Sequence, residues 1–217
     1  MFGMFKLWGE KMKIINISIK NEGYVYCKSS FYSAHDSLSG CSCYNFSKGI
    51  NKLIGEIDSG NWAISYLISM YKHRTEDFVL FEPATAVVDN KLITLEELSE
   101  LTCYMDKSDP LFSTTGSVKE LIIQGLEESQ LGYSHDDIKN LFCIDSERFE
   151  RPLNSVGNEI FKVMAAIGFA YRKEIFCFPW LSNRRFESYH ENLTTLLQIL
   201  EKLGKTVVLP LSVPKDF

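Results

Sequence analysis

The stretch KLIGEIDSGNWAISYLISMY, residues 52–71, decides the fold of this chain. The short apolar run Lys52–Ile54 is typical of a strand, and the glycines Gly55 and Gly60 bound a tight turn after it. Residues 61–71 contain no glycine or proline and are apolar on most faces, which is typical of a buried helix. The local order is therefore strand, glycine turn and buried helix.

The rest of the chain alternates between strand and helix patterns. The strand-like segments are Lys13–Ile19, Phe78–Phe81, Ala86–Val88, Leu101–Met105, Ile175–Phe178 and Thr206–Leu211. The helix-like segments begin after Thr94, Ser117 and Ser134, and two more cover Asn158–Tyr171 and Glu187–Leu203. The Ser- and Gly-containing segment Ser29–Gly40 is interpreted as a loop. This alternation predicts an α/β fold with a largely parallel sheet.

A run of helical patterns between residues 117 and 154 interrupts the alternation. Ser117 and Glu120 form a capping-box pattern, and Ser134 followed by two acids marks a second helix start. We therefore predict one domain over residues 1–217, with a core of about 12–116 and 155–217 and a helical subdomain of about 117–154. Residues 1–11 are expected to form a flexible arm.

Composition and charge argue against several classes of protein. The chain has 217 residues and a net charge of -5 with acids and bases interleaved, whereas nucleic-acid binders usually present a basic face. The apolar runs are too short for a membrane span, which needs about 20 residues. Cys41 and Cys43 have no second pair to complete a zinc site, so the six cysteines are expected to be free thiols. We expect a soluble, cytoplasmic protein without a signal peptide.

The glycine turn has the spacing of a phosphate-binding loop, G-x-x-x-x-G-K-[ST], in which backbone N–H groups and the lysine hold phosphate. Gly55 and Gly60 stand at the two glycine positions. Asn61 and Trp62 stand where the lysine and the hydroxyl are needed. Two glycines at this separation also occur in plain turns, so the spacing by itself leaves both interpretations open.

Further segments, in order along the chain, resemble those of ABC transporter ATP-binding domains. They are Tyr44–Gly49 before the loop, then Val87–Leu98, Cys103–Asp106, Asp109–Phe112 and Ser117–Leu121 after it. The resemblance extends from Lys13 to Pro214 and rests on layout more than on identity. It implies a P-loop NTPase-like α/β domain with a mainly parallel sheet, an N-terminal antiparallel β region and an inserted helical subdomain.

The resemblance also implies a nucleotide site for ATP and Mg²⁺, in which most functional positions are degenerate. Asn61 replaces the lysine that would meet the phosphates, and Trp62 replaces the hydroxyl that would hold Mg²⁺. Asp106 stands at the glutamine position of the Q-loop, and Tyr32 lies about where an aromatic residue stacks on adenine. The implied site residues are Tyr32, Gly55, Asp58, Ser59, Gly60, Asn61, Trp62, Asp106 and Trp180.

The remaining motifs of the family depart from the pattern as well. Ser155–Glu159 aligns with the signature motif but keeps only one of its two adjacent glycines. Ile175–Phe178 is followed by Pro179 and Trp180, where an aspartate would bind magnesium and a glutamate would act as general base. Residues 207–213 hold no histidine at the switch position. We therefore expect no catalytic residue, no metal ligand and no hydrolysis by this chain alone.

The resemblance places Trp62 and Trp180 opposite each other across the Mg²⁺ position. Our hypothesis is that the two indoles form a plug that fills the space of the metal and the β- and γ-phosphates, and that their burial stabilises the fold. The alternative is an alignment error of one residue, with both tryptophans as ordinary core residues.

Three functions are consistent with these departures. The first is a catalytically impaired ABC-type subunit that pairs with an active ABC ATPase, or with itself, beneath a membrane permease. The second is a non-transport scaffold or adaptor that forms a homodimer, and the third is a weak nucleotide binder that holds phosphate through backbone N–H groups. In the first case the partner would place the chain at the inner face of the membrane without direct insertion. No nucleic-acid partner is expected.

Overall fold

The computed structural model describes residues 14–19, 23–28, 33–38, 42–80, 84–113 and 115–215, so the predicted arm lies outside the described residues. The strands in this part of the chain are β1 (Ile14–Ile19), β2 (Gly23–Lys28), β3 (Ser33–Leu38), β4 (Ser42–Ser47), β5 (Gly49–Ile54), β6 (Phe78–Leu80), β7 (Thr85–Val88), β8 (Lys91–Ile93), β9 (Thr102–Tyr104), β10 (Ile175–Cys177) and β11 (Thr206–Leu211). The helices are α1 (Asn61–Met70), α2 (Leu95–Glu100), α3 (Val118–Ser129), α4 (His135–Leu141), α5 (Ser146–Phe149), α6 (Ile160–Ala170) and α7 (Asn183–Lys202).

A parallel sheet with the strand order β5–β11–β10–β9 forms the centre of the fold. Val207 of β11 pairs with Ile50 on one side and with Phe176 on the other. Alternate residues face opposite cores, so that Val207 and Leu209 lie in one core and Val208 lies in the other. Strands buried on both faces are apolar at nearly every position, which explains the apolar runs of β10 and β11. The predicted α/β fold with a parallel core sheet is confirmed.

Helices cover both faces of the parallel sheet. α6 and α7 contribute to the core on one face, and α1 packs on the other face against β9, β10 and β11. β2 and β3 also contact α1, and residues 62–70 of this helix are buried. Because it is enclosed by sheets on several sides, α1 is apolar on most faces, as the sequence predicts.

Two antiparallel sheets form the β region that the resemblance implies. One has the order β4–β1–β7–β8, and the other has the order β3–β2–β6. Their inward residues, among them Ile15, Ile17, Val25 and Phe46, share one core with α1. β6, β7 and β8 follow α1 in sequence, so pairing between distant segments completes both sheets.

The interpretation of Ser29–Gly40 as a loop is wrong for its centre. β3 pairs with β2 in antiparallel register, from Ser33 opposite Lys28 to Leu38 opposite Gly23. Serine, histidine and aspartate have weak strand propensity, but the adjacent strand supplies backbone hydrogen bonds that local propensity does not predict.

The helices after Thr94, Ser117 and Ser134 begin at the predicted cap residues. Ser117 and Ser134 each start a helix with a capping box, and Thr94 does the same for α2. Ile122 of α3 and Ile138 of α4 lie in the same core as α6, α7 and one face of the parallel sheet. The division into a core and a helical subdomain remains a prediction. Within the described residues, none of the helices is long and apolar enough to cross a membrane.

Replacement of Gly168 by alanine tests the contact between α6 and the parallel sheet. A Cβ atom there would lie 2.9 Å from the Sγ of Cys103 and 3.1 Å from the Cε1 of Phe176. We expect Gly168→Ala to lower the free energy of unfolding by about 1–3 kcal/mol, because overpacking outweighs the gain of about 1 kcal/mol in helix propensity. Gly132→Ala, whose Cβ would meet no atom within 4 Å, should change it by less than about 0.5 kcal/mol. Urea denaturation measures both, and equal effects would contradict this packing.

Candidate nucleotide site

The parallel sheet brings three connecting segments to one edge. Because its strands run in the same direction, the residues that follow β5, β9 and β10 all lie at its carboxyl end. Ligands of open α/β sheets bind at this edge. The segments are residues 55–60, 105–109 and 178–181, and α1 begins directly after the first of them. Every predicted site residue lies in or next to them except Tyr32, which is outside the described residues.

The loop between Gly55 and Gly60 is a compact turn. Ile57–Ser59 forms one turn of 3-10 helix, and Gly60 has a φ of 75° before α1 begins. This left-handed conformation favours glycine. The N–H of Gly55 donates to the carbonyl oxygen of Leu211 at 2.9 Å, which anchors the loop to β11.

Two of the loop's own side chains fold back into it. The Oγ of Ser59 donates to the carbonyl oxygen of Glu56 at 2.6 Å, and the Nδ2 of Asn61 donates to that of Ile54 at 2.9 Å. Both side chains crowd Gly55, where a Cβ atom would lie 2.5 Å from the Ser59 Oγ and 2.7 Å from the Asn61 Nδ2. A side chain at position 55 would clash with Ser59 and Asn61 of the same loop, and this position therefore requires glycine.

Both tryptophans donate hydrogen bonds to the same loop. The Nε1 of Trp62 donates to the carbonyl oxygen of Ile57 at 2.5 Å, and the Nε1 of Trp180 donates to that of Gly55 at 2.9 Å. Trp62 is 1% exposed in the core around α1, and Trp180 packs against the same core. Together with the two side chains described above, the indoles supply a donor to each carbonyl oxygen of residues 54–57.

The structure thus brings the two indoles to one loop from two directions. Trp62 comes from the first turn of α1, and Trp180 comes from the segment after β10. That they replace a metal and phosphates remains a hypothesis. Asp58 is exposed in the loop, where its carboxylate would repel an approaching phosphate.

The segment after β10 is held by backbone contacts and contains no carboxylate. The N–H of Phe178 donates to the carbonyl oxygen of Val208, and the carbonyl oxygen of Phe178 accepts from the Oγ of Ser65 at 2.7 Å. Leu181 rejoins β11 by donating its N–H to the carbonyl oxygen of Pro210 at 3.0 Å. These bonds fix the position from which Trp180 reaches the loop. Ser65 was not among the predicted site residues, although a serine inside an apolar helix is a signal for such a bond.

In the turn after β9, the carboxylates of two aspartates accept hydrogen bonds from backbone N–H groups. Asp106 is 0% exposed, and its Oδ1 accepts from the N–H of Ser108 at 2.8 Å. Asp109, which sequence reasoning did not single out, accepts from the N–H groups of Tyr104 and Leu111 at 2.7 and 2.9 Å. Burial raises the pKa of Asp109 to about 6, although both hydrogen bonds and the charge of Lys173 act in the opposite direction. An aspartate directly before a proline is typical of a helix N-cap, so the sequence did contain a signal for Asp109.

The segment that resembles the signature motif is held by polar contacts within the helical block. Glu159 and Lys162 are both buried and form an ion pair at 2.9 Å. Lys162 also donates to the carbonyl oxygen of Cys143, and Arg148 donates to the Oδ1 of Asn158. These contacts tie the start of α6 to α4 and α5. Among the described residues, no group of three or more His, Cys, Asp or Glu side chains is arranged to hold a metal ion.

Solved structures of ABC transporter proteins match this chain over almost its whole length. A protein from Pyrococcus furiosus named as an ABC transporter ATP-binding protein has a TM-score of 0.60 and 13% identity, with 94% of this chain and 92% of its own covered. The cbiO1 protein of Clostridium perfringens, part of the ABC transporter complex cbiONQ, has a TM-score of 0.59 and 13% identity, with 94% and 80% covered. The chain has the fold of an ABC transporter ATP-binding domain. No protein-family model and no curated protein matches the sequence.

The ABC fold that the resemblance implies is therefore confirmed, and a third structure agrees with it. A nucleotide-free ATP-binding cassette of an ABC transporter has a TM-score of 0.57 and 15% identity, with 93% of this chain and 82% of its own covered. Identities of this size establish the fold alone. The nucleotide chemistry of the ABC fold has to be argued from the side chains at its carboxyl edge.

Truncation of Trp62 tests what the indoles contribute to this ABC fold. Trp62→Ser removes a buried ring and should lower the free energy of unfolding by about 3–5 kcal/mol. Trp62→Phe keeps most of the ring but loses the hydrogen bond to Ile57, so we expect a loss of about 1–2 kcal/mol. Trp180→Glu should also destabilise the fold, because it places a carboxylate against the Gly55 carbonyl oxygen. Urea denaturation measures all three, and stabilities equal to the parent's would refute the plug hypothesis.

Burial of Asp109 makes the stability of the ABC fold depend on pH. Because its pKa is raised to about 6, the folded chain keeps a proton between about pH 4 and pH 6 that the unfolded chain releases. This contribution to stability is complete below about pH 4 and is lost as the pH rises through about 6. Asp109→Asn removes the titration, so the difference in unfolding free energy between parent and variant should change by on the order of 3 kcal/mol across this window. Urea denaturation at several pH values measures the change, and a constant difference would contradict the burial of a charge here.

Proposed function

We propose that this chain is a non-catalytic ABC-type ATP-binding subunit that pairs with an active ABC ATPase beneath a membrane permease. The observation that carries the proposal is the self-filled glycine loop. Four consecutive carbonyl oxygens, those of residues 54–57, accept hydrogen bonds from side chains of the chain itself. Phosphate binding needs backbone N–H groups and a cation, whereas the four side chains at this loop carry no positive charge and are bonded to its carbonyl oxygens.

The side chains around the loop also lack the chemistry of ATP hydrolysis. A phosphate-binding loop adds a lysine ammonium to its backbone N–H groups, whereas Asn61 is neutral and its amide is bonded to Ile54. Trp62 and Trp180 offer no oxygen ligand for Mg²⁺ and no base for water. Phosphoryl transfer depends on positioning and electrostatic stabilisation by such groups. We therefore propose a pseudo-ATPase with no cofactor of its own.

The proposed protein partner rests on analogy of fold. The cbiO1 protein is part of an ABC transporter complex, and this chain shares its fold. In the proposed assembly, an ATPase with complete motifs supplies hydrolysis, and this chain contributes a rigid subunit at the cytoplasmic face of the membrane. Fold analogy by itself does not prove function, so the partner has to be tested separately from the loop.

Titration of the purified chain with ATP, with and without Mg²⁺, tests the proposed loss of nucleotide binding. We expect no saturable heat and no change in tryptophan fluorescence up to millimolar ATP, because Ser59, Asn61 and both indoles occupy the loop. Isothermal calorimetry and the emission of Trp62 and Trp180 measure this directly. Mg²⁺-dependent binding at micromolar ATP would overturn the proposal. Binding at millimolar ATP without a Mg²⁺ effect would favour the weak nucleotide binder.

Asn61→Lys is the matched variant, because it restores the missing charge and removes only one of the four side-chain bonds to the loop, the one from Asn61 to Ile54. We expect this variant to remain without ATP binding, since Ser59 and the indoles still fill the loop. Recovery of micromolar binding from this one substitution would show that the loop is open and lacks only its lysine.

Sedimentation of the parent chain tests the proposed partner. A stable homodimer of this chain alone would favour the scaffold function over pairing with an active ATPase.

A further inference from the structure

The amino edge of the parallel sheet, where its four strands begin, lies opposite the glycine loop. It is formed by residues 48, 71–74, 100–101, 171–174 and 201–205. Backbone hydrogen bonds join neighbouring segments: the N–H of Thr206 donates to Glu174 at 3.1 Å, and the N–H of Glu174 donates to Leu101 at 2.8 Å. The amino edge is therefore one continuous surface.

The amino edge is basic, although the chain as a whole is acidic. Lys205 is buried and forms an ion pair with Glu174 at 2.7 Å. The charged residues that remain in these segments are two carboxylates, Glu100 and Glu201, and six cations, Lys48, Lys72, Arg74, Arg172, Lys173 and Lys202. Six cations against two carboxylates give the edge a net charge of +4, in a chain whose net charge is -5.

Helix ends account for only part of this positive charge. α1, α6 and α7 all end at the amino edge. The carboxyl end of a helix carries a partial charge of about -0.5 and attracts cations, so three helices supply about -1.5. The edge keeps an excess of about 2.5 positive charges after this contribution.

The cations of the edge lie close enough to act on one another. Partial burial, and after it the charges of Lys173 and Lys72, lower the pKa of His73, so the imidazole adds no charge at neutral pH. Lys72 pairs with the carboxylate of Glu100, and Lys173 donates to the carbonyl oxygen of Glu100 at 2.7 Å. Positive charge that neighbouring carboxylates do not balance favours an anionic partner.

Carboxylates border the basic edge on both sides. Glu127 and Glu128 are exposed at the end of α3, where Arg172 donates to the carbonyl oxygen of Gln130 at 3.2 Å. On the side of α1, Glu76 is exposed shortly after the last cation of that segment. These carboxylates would repel a wide anionic surface such as a bilayer or a nucleic-acid duplex. A narrow acidic segment, in contrast, contacts only the basic strip between them.

The length of the basic strip matches a short peptide. Lys48 precedes β5 and Glu100 ends α2 just before β9, so the two residues stand at opposite ends of the strand order β5–β11–β10–β9. Three strand spacings amount to about 15 Å, and about five residues of extended chain span the same distance.

We propose that the amino edge binds a short acidic segment of a partner protein, about five residues long and extended along the strip. This edge is opposite the glycine loop. The contact therefore stands independently of nucleotide binding and of the proposed pairing with an active ATPase.

Binding of fluorescein-labelled hexaglutamate to the full chain, measured by fluorescence anisotropy, tests the proposal. We expect saturable binding at about 0.05 M NaCl that is lost at about 1 M, where the Debye length is only about 3 Å. The double variant Lys48→Glu/Lys202→Glu should bind roughly tenfold more weakly, because it reverses two exposed charges of the edge. Circular dichroism checks that the variant is folded, as expected for two surface substitutions.

The matched control makes the same change of charge at the carboxyl edge. Lys107 follows β9 and Arg184 lies in the first turn of α7, and both are exposed. Lys107→Glu/Arg184→Glu should bind hexaglutamate within about twofold of the parent, because its charges are remote from the strip and screened by salt. An equal loss in both double variants would overturn the proposal, since net charge rather than the amino edge would then govern binding.

Two further results would contradict the proposed partner. The first is the absence of saturable hexaglutamate binding at low salt. The second is tighter binding to phosphatidylserine vesicles or to a single-stranded oligonucleotide than to hexaglutamate, which would assign the edge to a lipid surface or a nucleic acid.

Discussion

Parallel pairing of β11 with both β5 and β10 is the constraint on which the candidate site depends. It sets the glycine loop and the segment after β10 at the same edge, separated by one intervening strand. Two strand spacings amount to about 10 Å, a gap that an indole side chain and a hydrogen bond can bridge. The bond from the Nε1 of Trp180 to the carbonyl oxygen of Gly55 closes this gap. The same register ties Gly55 to Leu211, so the loop, β11 and the indole form one connected unit.

The glycine loop at this edge is held by hydrogen bonds from side chains of the chain itself. In a phosphate-binding loop, charge and backbone N–H groups are satisfied when nucleotide arrives. In this chain the loop's carbonyl oxygens are satisfied by Ser59, Asn61 and the two indoles before any ligand is present. At the end of β9 the buried Asp106 and Asp109 accept hydrogen bonds from backbone N–H groups instead. Side chains of the chain itself thus satisfy backbone groups at both of these segments, and that they replace a bound nucleotide is our hypothesis.

Much of the fold could be predicted because its signals are local. Capping boxes at Thr94, Ser117 and Ser134 start helices where the sequence indicates them, since a cap is made within one turn of chain. The apolar runs of β10 and β11 identify strands that are buried on both faces. β3 could not be found in this way, because its strand structure comes from pairing with β2 rather than from its own residues. The polar Ser65 inside apolar α1 is visible in the sequence, but its partner Phe178 is not, because the two are remote in sequence.

The sequence by itself determined the α/β class, the order of the main elements and the absence of a lysine and a hydroxyl after the second glycine. That Trp62 and Trp180 meet at one site was implied by the resemblance to the ABC family rather than by any local pattern. Only the tertiary structure decided where their hydrogen bonds go and that Ser59 and Asn61 fold back over Gly55. The physical reason is that composition and periodicity encode burial and helix ends locally. The direction of a side-chain hydrogen bond, by contrast, depends on which backbone carbonyl the packed sheet brings within reach.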